Sequence, residues 1–125
     1  MKKLTQAQEK ALAKIIDYIK FAKKFNNFKD YYIAEQLRGL ETRFDYQELV
    51  KHYTQRYEQD EAYYTEHYKH YWLDALNNIA LTSRVSSSTL KALENLGYIE
   101  IINDGRNFVD TIKLLRTDLL EEVRA

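Results

Sequence analysis

The side chains best equipped for chemistry in this 125-residue sequence sit together in one stretch. His67 and His70 lie three apart, Glu66 is adjacent, and Asp74 follows one turn later. On a helix that spacing gathers two imidazoles and a carboxylate on one face, a donor set that suits zinc or nickel. Three such residues on an open helix are more often solvated surface, and the spacing is loose, so no metal is expected. His52 stands alone. No nucleophile elbow, dinucleotide fingerprint or pair of catalytic carboxylates occurs. The glycines, Gly39, Gly97 and Gly105, are too scattered to build a phosphate-cradling loop. Neither enzymatic activity nor a cofactor is expected.

The composition narrows the field further. A hydrophobic fraction of 45% and a charged fraction of 30% describe an ordinary globular chain, long enough for one domain with a core of its own. With no cysteine, the chain has neither disulfides nor thiolate metal sites, which agrees with a reducing cytoplasm. It contains no secretory leader pattern and no apolar run near the ~20 residues that cross a bilayer, so a soluble, cytoplasmic protein with no membrane partner is expected. The formal net charge is zero, so nucleic-acid binding would require segregated charge. Residues 1–29 carry eight lysines against Glu9 and Asp17, a balance of +6, whereas residues 41–74 carry eight acids against four bases, a balance of −4. The basic segment could face phosphates, although lysine faces on helices usually just face water.

These groups must be positioned by helices. With no proline, little forces the backbone out of helix. Apolar residues at 11, 12, 15, 16, 19 and 22 predict a helix from Thr5 to about Phe25, with Thr5 as N-cap, Leu4 as staple, and Asn26-Asn27 as the break. A second helix is expected over Asp30 to Leu40, with Ile33, Ala34 and Leu37 inward and Gly39 near its end. From Asp45 onward, Tyr46, Leu49, Val50, Tyr53, Tyr57, Tyr64, Tyr68, Tyr71 and Ala75 recur at helical spacing, with a lapse at Asp60. This predicts a long helix interrupted near Gln59–Glu61. Tyrosine buries a ring and keeps a wet hydroxyl, so the stripe suits either an oligomer seam or packing on the first helix within one subunit.

The pattern changes at Trp72. Leu73, Leu76 and Ile79 mark one helix face, and Leu81 is expected to be buried in a turn. Thr82 is preferred over Ser86 or Ser87 as the N-cap of a helix running to Leu96, with Gly97 at C′. Tyr98 to Ile102 and Phe108 to Leu115 alternate as strands around Asn103-Asp104-Gly105-Arg106-Asn107, a hairpin turn signal. A last helix is expected from Thr117 to Val123.

The phrase Leu90-Lys91-Ala92-Leu93-Glu94-Asn95-Leu96-Gly97-Tyr98-Ile99 resembles the end of the recognition helix in winged helix-turn-helix regulators such as the MarR and PadR families. The resemblance covers residues 72–115. It implies a mainly α fold with a small β-hairpin wing and long N-terminal helices. In that organisation residues 1–125 form a single domain: 1–71 helical, 72–115 winged helix-turn-helix, and 116–125 a C-terminal helix. It also implies sequence-specific binding of double-stranded DNA, as a homodimer, with the 82–96 helix in the major groove. The contact residues would be Thr82, Ser83, Arg84, Ser87, Ser88 and Lys91, with Arg106 and Asn107 at the wing tip. Arg84 is the candidate for a bidentate guanine contact. The alternative is a non-enzymatic protein-interaction or inhibitor module, of the kind phages and plasmids carry, that uses the acidic, tyrosine-rich helix.

Overall fold

The computed structural model describes residues 4–81, 85–102 and 111–121. The first helix, α1 (Gln6–Lys23), starts as its sequence dictates. Thr5 Oγ1 accepts from the Gln8 amide and Gln8 Oε1 accepts from the Thr5 amide, a reciprocal capping box. All six residues of its apolar stripe, Ala11, Leu12, Ile15, Ile16, Ile19 and Ala22, are buried. Helix α2 (Phe28–Leu37) begins two residues earlier than its periodicity predicts, because the Asn27 carboxamide accepts from the Asp30 amide at 2.9 Å and caps it. Its buried residues are Phe28, Tyr31 and Leu37, while Ile33 and Ala34 are only half-buried. The larger aromatic rings have taken the inward positions.

The tyrosine-rich region divides at Asp60 into α3 (Tyr46–Gln59) and α4 (Glu61–Leu76), and Asp60 leaves helical geometry at φ −144°. Helix α4 does not extend to Ile79. It stops at Leu76, and Asn78 adopts a left-handed conformation at φ 65°, one that asparagine tolerates better than most residues. Ile79 to Leu81 then form β1, a strand that the helical reading of Leu73, Leu76 and Ile79 missed. Leu81 is accordingly 40% exposed rather than buried in a turn. Helix α5 (Ser87–Asn95) leads to β2 (Ile99–Ile102) and β3 (Thr111–Leu114), which form the expected antiparallel hairpin with Ile99 opposite Leu114 and Ile102 opposite Thr111. Strand β1 pairs with the other side of β3, giving a three-stranded antiparallel sheet ordered β1-β3-β2. Beyond β3, Thr117–Leu120 form a short 3₁₀ turn instead of the first turn of an α-helix. Arg116 precedes it without a side-chain cap.

Helix α1 joins two cores. Its stripe from Ala11 to Ile19 packs with Ala80 of β1, Leu90 and Leu93 of α5, Ile99 of β2, and Ile112 and Leu114 of β3. Its last turn supplies Ala22 to an aromatic core made of Phe28, Tyr31, Tyr57, Trp72 and Ala75, and Tyr18 touches both clusters. Each fully buried Ile or Leu contributes roughly 1.5–3 kcal/mol over its exposed state, so these stripes fix how the helices sit. The indole of Trp72 donates to the Ala22 carbonyl at 3.0 Å, satisfying one of the acceptors that the end of α1 would otherwise leave open. The tyrosine stripe therefore packs largely within the chain: Tyr57 is buried, and Tyr32 contacts Tyr57, Tyr64 and Tyr68 at centroid distances of 5.9, 4.9 and 5.7 Å. Among the described residues, no helix is long and apolar enough to cross a membrane.

Candidate nucleic-acid interface

A helix stands where the resemblance expects a recognition helix, but it is shorter than predicted. It starts at Ser87 rather than after Thr82, with Ser86 as N-cap. The Ser86 hydroxyl accepts from the Thr89 amide at 3.3 Å and shares hydrogen bonds with Ser88 Oγ at 3.2 Å and Thr89 Oγ1 at 2.8 Å. Val85, which would lie inside the longer helix, is not helical and packs against the α1 core, so the alternative start at Ser86 prevails.

At the other end the sequence signal holds in detail. Gly97 takes φ 84°, its amide donates to the Glu94 carbonyl at 3.0 Å, and the Tyr98 amide donates to the Leu93 carbonyl at 3.0 Å. This pair of bonds is a Schellman closure, and it turns the chain from α5 straight into β2. The Glu94 side chain adds a second tie: Oε2 accepts from the Ile101 amide at 2.8 Å. Because β2 is an edge strand, this carboxylate also occupies a donor that would otherwise invite another strand.

Leu90 and Leu93, both fully buried, hold α5 against α1 and the sheet. Ser87, Ser88, Lys91 and Asn95 lie on the opposite, exposed side. Ser87, Lys91 and Asn95 are four apart and so form one polar stripe along the helix. Of the sequence-predicted contact residues, the structure therefore brings together Ser87, Ser88 and Lys91. Thr82, Ser83, Arg84, Arg106 and Asn107 lie outside the described residues. Asn95, which the motif reading passed over, shares the stripe, and its i+4 spacing from Lys91 was the available signal.

The cations of the C-terminal half differ in what they already face. Lys113 of β3 sits opposite Glu100 of β2 in the strand register. Arg116 lies 5.2 Å from the Tyr98 ring centroid and grips Asp118 through two bonds of 3.0 and 2.9 Å. That grip holds the Asp118 carboxyl below its usual value. Lys91 has no ion-pair partner among the described residues. Farther off, Lys10, Lys14, Lys23 and Lys24 of α1 are exposed.

The histidines do not converge. His67 packs edge-on to Tyr63 at 4.3 Å and His70 tilts against Tyr71 at 3.9 Å, and among the described residues no three acidic or imidazole side chains form a metal set. Comparison of the chain with protein-family models, with curated proteins and with solved structures found no match.

Proposed function

We propose that the protein is a non-enzymatic DNA-binding module of winged-helix type, working as a homodimer, in which α5 lies in the major groove and the β2–β3 hairpin flanks it. The observation that carries this reading is the division of α5 into a buried Leu90–Leu93 side, locked on α1 and the sheet, and an exposed stripe of Ser87, Lys91 and Asn95. A rigid helix with a short, polar, unencumbered face can approach base edges closely. The Ser86–Ser88 end adds free amides of a helix N-terminus, suited to phosphate. Among the described residues one helix, α5, lies between β1 and β2, so α1 would supply the buttress behind α5 that another helix gives in a two-helix motif.

Charge sets the expected behaviour. Lys91, the Arg84 that the resemblance assigns to DNA contact and a few lysines of α1 would neutralise about four phosphates per protomer. For a dimer making about eight such contacts, affinity would then fall by about ten-thousandfold between ~50 and ~200 mM salt. The test is fluorescence anisotropy with a mixed-sequence duplex at both salt concentrations. Salt-sensitive binding, weakened at least tenfold in Arg84→Ala and in Lys91→Ala, supports the reading, and absence of binding at low salt refutes it.

A second reading, protein docking through the acidic half, is favoured by a separate observation. Phe44 is fully exposed, at 101%, on a turn braced by the bidentate Arg43–Asp45 pair at 2.9 and 3.0 Å, and Tyr63 of α4 is 46% exposed. An exposed phenyl ring on a braced turn is a suitable anchor for a partner's pocket.

A further inference from the structure

A recess of about 240 Å³ opens between α1, α2, α4 and the end of β1, lined by five tyrosines, Tyr18, Tyr31, Tyr32, Tyr68 and Tyr71, and by Glu35, Gln36 and Leu81. The volume is below that of sites for drug-sized molecules, so only a small group fits. Its polar inventory is short. The hydroxyls of Tyr18 and Tyr31 are bonded to one another at 3.1 Å. Glu35 Oε2 is buried without a hydrogen-bond partner. The nearest cation, Arg38, stops at 4.0 Å from that oxygen because its guanidinium is seated over the Phe21 ring, 4.7 Å from the centroid. A carboxylate in an aromatic wall, desolvated yet poorly paired, is an arrangement that burial alone disfavours.

At the two bonded hydroxyls the carboxylates outweigh Arg38, which opposes them more weakly. Burial raises the Tyr18 and Tyr31 hydroxyls above their usual range, Glu35 pushes both further in the same direction, and Asp74 adds to the effect on Tyr18. An anion would be repelled here. A bare ammonium would be attracted but would exchange three strong hydrogen bonds to water for acceptors whose directions the packed tyrosines, Glu35 and Gln36 already fix. An alkylated ammonium carries the charge without N–H groups to satisfy, and aromatic rings attract it through their π faces.

We propose that this recess binds a trimethylammonium group, with Glu35 as counter-charge and the tyrosines as an aromatic surround. Such a group could arrive as a free choline-like molecule or on a trimethylated lysine of another protein, and the chemistry of recognition is shared. The site is separate from α5, so it stands or falls independently of DNA binding.

The test uses the full chain in NMR titrations with choline and with 3,3-dimethylbutan-1-ol, its neutral isostere, following aromatic and amide signals. The expected result is saturable shifts confined to the five tyrosines and Glu35, with choline binding at least tenfold more tightly than the alcohol. Glu35→Gln, nearly isosteric, should weaken choline by about tenfold or more with an unchanged amide spectrum elsewhere. Tyr68→Ala, at a position already 39% exposed and therefore safe for folding, should weaken it several-fold. Equal binding of the alcohol, scattered shifts, or an unaltered affinity in Glu35→Gln would overturn the proposal. In a parallel arm, tighter binding of a short trimethyl-lysine peptide than of choline assigns the cation to a modified protein, and the reverse order to a free small molecule. Both orders uphold the site, and failure of both ligands to bind refutes it.

Discussion

Replacing Glu94 by alanine tests how α5 is held to the sheet. The carboxylate stands one residue before the end of α5, where a negative charge opposes the helix dipole by about 0.3–1 kcal/mol. What it gains there is the 2.8 Å bond from the Ile101 amide, a charge-assisted contact of about 1.5–3 kcal/mol. Water can reach this partly buried edge, so the lower figure applies, and relief of the dipole offsets about a third of it. Glu94→Ala should therefore lose about 1 kcal/mol, or about 4 °C in Tm for a chain of this size. Glu94→Gln keeps an acceptor oxygen at roughly half the bond strength and also relieves the dipole, so it should be nearly neutral. Urea unfolding followed by circular dichroism, with calorimetry for Tm, measures both. The alanine variant should also aggregate sooner on heating, because the Ile101 donor on the sheet edge is released. Alanine as stable as the parent, or glutamine as costly as alanine, would refute the reasoning.

Three further outcomes follow from the same geometry. Trp72→Phe removes the donor to the Ala22 carbonyl and shrinks a ring in the aromatic core, so it should cost about 2–3 kcal/mol in urea unfolding; a loss under about 0.5 would contradict the buried bond. Gly97→Ala places a Cβ that would have no atom within 4 Å, so its cost is the backbone penalty of φ 84° alone, about 1 kcal/mol, with Gly97→Asn costing less. Burial raises the Glu35 carboxyl above its ordinary 4.5, with Arg38 pulling it down more weakly. The folded state thus holds that proton more tightly than the unfolded chain, and a stability cost accrues as pH climbs from below 4.5 through the raised value. Glu35→Gln should then be more stable than the parent at about pH 7 and lose that advantage at about pH 4, read from urea midpoints; a variant less stable at neutral pH would contradict the sign.

What the sequence could reveal depended on whether a residue's role was local. The capping of α1 by Thr5, its six-residue stripe, the break at Asp60 and the closure at Gly97 all rest on side chains acting within a turn or two, and all were legible. Strand β1 was not. Its three residues, Ile79 to Leu81, continue the apolar spacing of α4, and they become a strand because β3 offers a free edge about thirty residues later. The start of α5 was misplaced for a related reason: Thr82 and Ser86 are equally good caps in isolation, and the seat of Val85 on the α1 core decides between them. The tyrosine stripe left two packing partners open, and the aromatic side chains of α2, invisible to a single-helix periodicity, took most of it. The Glu35 recess was equally hidden, since it is assembled from three helices and the end of β1.

The account's central claim is tested most directly by mapping amide shifts on the full chain as a short mixed-sequence duplex is added at low salt. The claim predicts that the largest changes fall on residues 84–91 and Asn95, with smaller ones along the exposed lysines of α1. Shifts gathered instead on the tyrosine face of α2–α4, or no shifts at all, would contradict it.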